Sequence, residues 1–233
     1  MKALIFDIGG VLVYPRLGEW HIPYRAAEIL GPARAQTMQT ERFRRAHAAC
    51  MPWLREDRLV MDTDTERLLR RGFVMELDRA MDWRMTDGEI AAMTDDFTDD
   101  IDRYGFFNDV REWLARWSEE YTLAVLSDAM PSILDFLERY GIRKYFSAAV
   151  ISTHVGAVKP DPKMFDAALS QLETAPSECL FADDSPNNVR AAVRAGLHGV
   201  QFSRPEFPAK ALWDGPVARD FGELDRLIRE GVL

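Results

Sequence analysis

The chain has 233 residues, more than one ordinary domain of roughly 150 residues and less than two. It is 47% hydrophobic and 29% charged, with only 14 Gly, 12 Pro and two Cys. That composition belongs to a chain that buries a core and excludes disorder, collagen-like repetition and a disulfide scaffold. The formal net charge of −9, from 29 basic and 38 acidic side chains, argues against a nucleic-acid partner. It leaves room for a small phosphorylated molecule, because one local cation can outweigh the net field.

The N-terminal run 3–8 is apolar but broken by Asp7, with no small-residue cleavage site after it. It reads as a buried strand rather than a signal peptide. The longest stretch free of Lys, Arg, Asp and Glu is 145–158, 14 residues, too short to cross a bilayer. Cys50 and Cys179 show no Cys-x-x-Cys spacing and read as reduced, buried thiols of a cytoplasmic protein.

No strand signal follows until residue 121. Helices are expected at 19–30, ending at Gly31-Pro32, then at 33–51, 65–81 and 89–97, the last opened by the capping box Thr86-Asp87-Gly88-Glu89. They would form a helical subdomain over residues 14–104, inserted into a core made of 1–13 and 105–233. Its aromatic and Met residues (Trp20, Tyr24, Phe43, Trp53, Phe73, Met75, Trp83) are expected mostly to pack that bundle, with one or two shaping a pocket. The acidic stretch 95–102 is expected to be a solvated face.

Past the insert, a helix at 108–120 carries Val110, Trp113, Leu114 and Trp117 on one stripe. Strands at 121–126, 148–151, 179–182 and 199–202 then alternate with helices at 131–140, 160–172 and 185–195, where Ser185 is the expected cap. A last helix follows at 221–230. Short, non-alternating apolar strands between helices predict an α/β fold, a doubly wound parallel sheet with helices on both faces.

Open α/β sheets bind ligands outside the carboxyl ends of their strands. There the sequence places Asp7 before Gly9-Gly10, Ser127-Asp128, Lys159 in a loop, and Asp183-Asp184. Any one could be a cap, but clustered carboxylates repel and call for a divalent cation. Such an edge supports phosphoryl transfer: a carboxylate attacks phosphorus while a cation, a lysine and a hydroxyl hold the charge. The helix after Ser127 would aim backbone N–H groups at the phosphate.

These residues resemble the four signature motifs of the haloacid dehalogenase (HAD) superfamily. Phe6-Asp7-Ile8-Gly9-Gly10-Val11-Leu12 is similar to the nucleophile motif and Leu126-Ser127-Asp128 to the second. Lys159-Pro160-Asp161-Pro162 and Phe181-Ala182-Asp183-Asp184-Ser185-Pro186-Asn187-Asn188-Val189 match the third and fourth. The insert lies where one class of the family carries its cap. The resemblance implies a Rossmann-like core and an Mg²⁺-dependent phosphatase, monomer or homodimer, acting on a small phosphorylated metabolite such as a sugar, anomeric or acyl phosphate. It makes Asp7 the aspartyl-phosphate, and Ser127, Asp128, Lys159 and Gly10 the substrate-binding residues. Asp7, the Gly9 carbonyl, Asp184 and, directly or through water, Asp183 would hold the metal, with Asn188 orienting the fourth loop.

One position departs from the pattern. Most phosphatases of this family carry a second aspartate, the general acid-base, where this chain has Gly9. Positioned acid-base catalysis is worth roughly 10²–10⁴ in rate. Substrates with good leaving groups, or an acid from water or the cap (His21, His47 or a carboxylate), would compensate. Slow turnover, or ligand binding without turnover, are the other readings. The rival reaction is metal-independent 2-haloacid dehalogenation, whose enzymes have small polar residues in place of the acid pair.

Overall fold

The first strand, β1 (Ala3–Phe6), is buried on both faces. Leu4 and Phe6 enter one apolar layer with Trp117 and Phe221, Ala3 and Ile5 another with Phe165 and Phe181. That division of alternate residues is why the strand is apolar throughout. The chain continues into β2 (Val13–Pro15), α1 (Ala26–Ala35), α2 (Glu41–Cys50), α3 (Thr63–Met81), α4 (Asp87–Thr98) and β3 (Tyr104–Phe106). Strand and helix then alternate through α5 (Val110–Trp117), β4 (Thr122–Ser127), α6 (Ser132–Arg139), β5 (Ala148–Ile151), the single turn α7 (Ser152–Val155) and α8 (Pro162–Leu172). The last elements are β6 (Cys179–Asp183), α9 (Pro186–Arg194), β7 (His198–Phe202), β8 (Val217–Ala218) and α10 (Phe221–Arg229). This computed structural model describes residues 1–99, 101–211 and 213–231.

Six strands form one parallel sheet in the order β5-β4-β1-β6-β7-β8. Residues of α5, α6 and α10 pack on one face, those of α8 and α9 on the other. The fold is therefore α/β, doubly wound. From β1 the chain moves outward to β4 and β5, then crosses back to β6 on the opposite side, so the order reverses beside β1 and opens a crevice there. None of the described helices is long and apolar enough to cross a membrane.

Three strands lie outside the predicted set: β2, β3 and the two-residue edge β8. The first two pair antiparallel, Tyr14 opposite Gly105, where the chain leaves and re-enters the sheet. A Cβ on Gly105 would stand 2.5 Å from the Tyr14 ring, so any other residue would have to push that ring aside. The first insert helices also differ. Residues 19–25 are not helical; within α1 the backbone leaves helical geometry at Gly31, at φ +72°, so the first stretch does end at Gly31-Pro32 and a second short one follows it. The Thr40 hydroxyl then caps α2 by accepting the Phe43 N–H at 3.2 Å. The capping box forms as expected.

The four insert helices share their own apolar cluster, including Leu30, Phe43, Phe73, Leu77, Trp83 and Phe97. Trp53 and Met75 are exposed instead. The acidic stretch is mixed: Asp95 and Asp99 pair with Arg67 at the surface, but Asp96 is buried and accepts the Arg25 N–H. Asp100 lies outside the described residues.

Candidate active site

The carboxyl ends of three adjacent strands deliver the polar groups. Asp7 follows β1, Ser127 ends β4 and Asp183 ends β6, with Asp184 next. Lys159 arrives in the loop after α7, ahead of a cis Lys159–Pro160 bond. Its Nζ lies 2.9 Å from Asp7 Oδ1 and 2.6 Å from Asp183 Oδ2. Its own N–H donates to Asp128 Oδ1 at 2.8 Å, so Asp128 ties two of the loops together. Burial opposes the charge on Lys159, but Asp183, Asp7 and Asp128 outweigh it and hold its pKa above the ordinary value.

Asp183 is completely buried. It accepts from Lys159, from the Ser185 N–H at 2.7 Å and from Asn188 Nδ2 at 3.1 and 3.2 Å. Ser185 therefore does not cap α9 with its side chain; the neighbouring carboxylate takes its N–H instead. Asp7 Oδ1 accepts from the Ile8 N–H at 2.8 Å and from Lys159; among the described residues Oδ2 has no donor.

One ligand oxygen from each of Asp7, Asp183 and Asp184 lies within 4.8 Å of the others. Burial, then Asp7 and Asp183, push the Asp184 carboxyl up to about 7. Crowded carboxylates resisting ionisation, all hard oxygen donors, fit a divalent cation. Gly10 permits the crowding: at φ +70°, its missing Cβ would stand 2.8 Å from Asp184 Oδ2. The Gly10 N–H, however, donates to the Val13 carbonyl at 2.8 Å, and Gly10 does not line the cavity. Its N–H is thus engaged within the chain rather than turned to the cavity.

The cavity above these residues measures about 280 Å³. Asp7, Gly9, Ser127, Asp128, Lys159, Asp184 and Asn188 line its floor. The insert supplies the other wall, with Trp20, His21, Glu56, Arg70 and Arg103. The expected anion site at the start of α6 is not free, because the Ser132 N–H donates to Glu66 Oε2 at 2.7 Å.

Of the suggested replacements for the acid missing at Gly9, the histidines are poor. Burial, followed by Arg70, Arg103 and His47, pushes His21 down to about 3, so it carries no proton to give near neutrality. His47 does not line the cavity; its Nε2 sits 3.0 Å from the His21 carbonyl. Glu56 does line it, and burial, then the charge of Asp128, push its carboxyl up to about 7. Trp20 explains the glycine. A Cβ at position 9 would meet its indole at 3.2 Å, so the ring occupies the space an acidic side chain would enter.

Glu56 had no distinguishing mark in the charged run Arg55-Glu56-Asp57-Arg58. Gln201 did have one, a lone amide inside an apolar strand. It is completely buried on β7, and its Nε2 donates to the Asp184 carbonyl at 2.8 Å and the Ala211 carbonyl at 2.6 Å, fixing the Asp184 backbone.

A parallel sheet that gathers an open carboxylate, a buried lysine, a hydroxyl and an acid pair beside its central strand suits hydrolytic chemistry at that edge. Comparison with known proteins makes the class specific. The family described as haloacid dehalogenase-like hydrolases matches residues 1–196, and the chain belongs to it. It is 34% identical over 112 residues to a phosphoserine phosphatase of Thermus thermophilus, covering 46% of this chain and 45% of that protein. It is also 40% identical over 70 residues to the mouse acyl-CoA dehydrogenase family member 10, covering 30% of this chain and 6% of that protein. The matched stretches thus span less than half the length of either relative. The fold resembles that of the L-2-haloacid dehalogenase of Xanthobacter autotrophicus, with TM-score 0.68 over 99% of each chain at 20% identity, a likeness of fold alone.

Proposed function

We propose that the chain is an Mg²⁺-dependent phosphatase of a small phosphorylated metabolite, with residues 14–104 forming a cap over the core 1–13 and 105–233, and that it works in the cytoplasm. The acid pair Asp183-Asp184, gathered with Asp7 around a space that suits a hard cation, carries this reading. The likeness to a phosphoserine phosphatase supports it. Asp7, Asp184 and the Gly9 carbonyl would hold the metal. Asp183, already engaged by Lys159, Ser185 and Asn188, would act at its edge. A divalent ion bound there supplies charge neutralisation for the phosphate oxygens.

On this reading an Asp7 carboxylate oxygen forms a bond to phosphorus as the ester P–O bond breaks, and the departing oxygen takes the proton of Glu56. Ser127 and Lys159 bind the phosphate oxygens and spread their charge. Glu56, now ionised, takes a proton from the water that cleaves the aspartyl phosphate, which restores both carboxyl groups. The cap excludes bulk water meanwhile.

A second reading has one observation in its favour. A halide leaves without needing a proton, so Gly9 suits 2-haloacid dehalogenation. A phosphate-release screen over alkyl, anomeric and acyl phosphates, with Mg²⁺ and with chelator, decides between them. Mg²⁺-dependent release supports the phosphatase. Activity that survives chelation, or chloride release from 2-chloropropionate, overturns it.

A further inference from the structure

We propose that the insert wall of the cavity is a subsite for a second anionic group on the substrate, a carboxylate received by the guanidinium of Arg70. The inference rests on the phosphatase reading for the first anion, the phosphate, and names the class of substrate: small phosphomonoesters of carboxylic acids.

Arg70 lies on α3 and is only 5% exposed, yet it lines the cavity. Its Nε donates to Glu66 Oε1 at 2.7 Å. Its Nη1 is buried with no hydrogen-bond partner, and among the described residues nothing accepts from Nη2. Arginine offers five donors in a rigid fork, and here the protein uses one. An unmet buried donor is costly, so the fork suits an acceptor that the chain does not provide.

The shape of the fork says which acceptor. Arg103 is buried in the same wall and donates to the carbonyls of Phe97 and Trp20. Glu66, the one carboxylate paired with Arg70, is fully buried and shared with the Ser132 N–H at 2.7 Å and hydroxyl at 2.8 Å. Asp96 accepts the Arg25 N–H, and its charge acts with that of Glu66 on Arg103. Glu56 shares the cavity but forms no ion pair with either arginine among the described residues, and its carboxyl resists ionisation. The fork of Arg70 therefore faces the cavity with one donor engaged. A hydroxyl could accept one hydrogen bond from it and would leave the rest of the fork unmet. A carboxylate sets two oxygens against the fork. The volume of about 280 Å³ limits the molecule to a small one. Glu66 also fastens Arg70 to Ser132 of the core, so the subsite is presented with the insert seated on the sheet.

The test is calorimetric binding of phosphonoacetate and ethylphosphonate, which differ by the carboxylate and are not cleaved, to the Mg²⁺-supplemented protein. Phosphonoacetate is expected to bind about 10–100-fold more tightly, the range for a hydrogen bond to a charged group. Arg70→Met alone strands Glu66 and is expected to fold poorly, so the variant used is Arg70→Met with Glu66→Gln. In it the affinity ratio should collapse to within about threefold. Equal affinities in the unmodified protein, or a ratio preserved in the double variant, overturn the subsite. A clear preference with no phosphate released from 2-phosphoglycolate or ethyl phosphate upholds the subsite and overturns the phosphatase. Failure of both phosphonates to bind overturns both.

Discussion

Replacing Glu56 with glutamine keeps the size and polarity of the side chain and removes its proton. If Glu56 protonates the departing oxygen, phosphorylation of Asp7 by an alkyl phosphate should slow by about 10²–10⁴-fold, or roughly 3–5 kcal/mol of barrier. An acyl phosphate, whose leaving group needs no proton, should lose less than about threefold. The measurement is single-turnover release of the alcohol or acid, which isolates this step from hydrolysis of the phosphoenzyme. A uniform loss on both substrates would refute the role and make Glu56 a binding residue.

The pH dependence gives a second reading of the same group. An acid must hold its proton, and burial places the Glu56 carboxyl at about 7. Alcohol release should therefore be level below that value and fall about tenfold per unit above it; in Glu56→Gln the fall should vanish. Because burial is the first cause of the shift, a cation beside Asp7 moderates it without abolishing it. Stability carries the same sign. The folded pKa is raised above the ordinary 4.5, so this group's contribution is complete below 4.5 and is lost as pH rises through about 7. Urea midpoints of the parent should decline across that window, and those of Glu56→Gln should decline less.

Asp7→Asn should remove turnover by at least about a thousandfold with the melting temperature little changed; retained release would displace Asp7 as nucleophile. Gly9→Asp should lower stability by about 1–3 kcal/mol by pressing on Trp20, without accelerating alkyl phosphate hydrolysis unless Trp20→Ala is added; a faster single variant of unchanged stability would show that Trp20 does not hold that space. Asp184→Asn should raise the melting temperature of the chelated protein at pH 8, by removing a like charge, and should cancel the stabilisation by Mg²⁺, about 2.7 kcal/mol at a hundredfold excess over Kd. An unaltered Mg²⁺ response would move the metal elsewhere.

What was legible in the sequence follows from where the signal is local. Residues 3–6 and 179–183 are strands sealed by helices on both faces, so their apolar runs announce them. The stop at Gly141 and the box at Thr86 and Glu89 are chemistry within four residues. The β2–β3 ladder is different: the apolar runs at 11–14 and 104–107 are short, and Tyr14 and Gly105 meet only because a whole bundle intervenes. Residues 19–25 hold Pro23 among weak helix formers, so the helix starts only at Ala26 and the segment places Trp20 and His21 at the cavity. The core side was readable because Asp7, Ser127 and the Asp183-Asp184 pair stand at strand ends, with Lys159 in a short loop before a helix. The insert side was not, since Glu56 and Arg70 are ordinary surface types until packing buries them.

That asymmetry bears on how the reaction would be controlled. On the proposed reading, with Trp20 over Gly9, the proton donor would stand on the insert and not on the floor of the site. Asp7, Ser127, Lys159 and Asp184 stand on the sheet whether or not the insert is seated, but Glu56 and Arg70 do not. Glu66 bridges the two parts through Ser132, beside Thr63 bonded to Asp135 at 2.8 Å and the Val60 N–H bonded to the Thr153 carbonyl at 2.9 Å. An alkyl ester would then meet nucleophile and acid together only with the insert docked. A molecule lacking the group that Arg70 receives would gain less from docking and, on the same reasoning, would be turned over more slowly. Substrate choice and proton transfer would share one contact between insert and core, and weakening it, as in Ser132→Ala, should slow alkyl phosphates more than acyl phosphates.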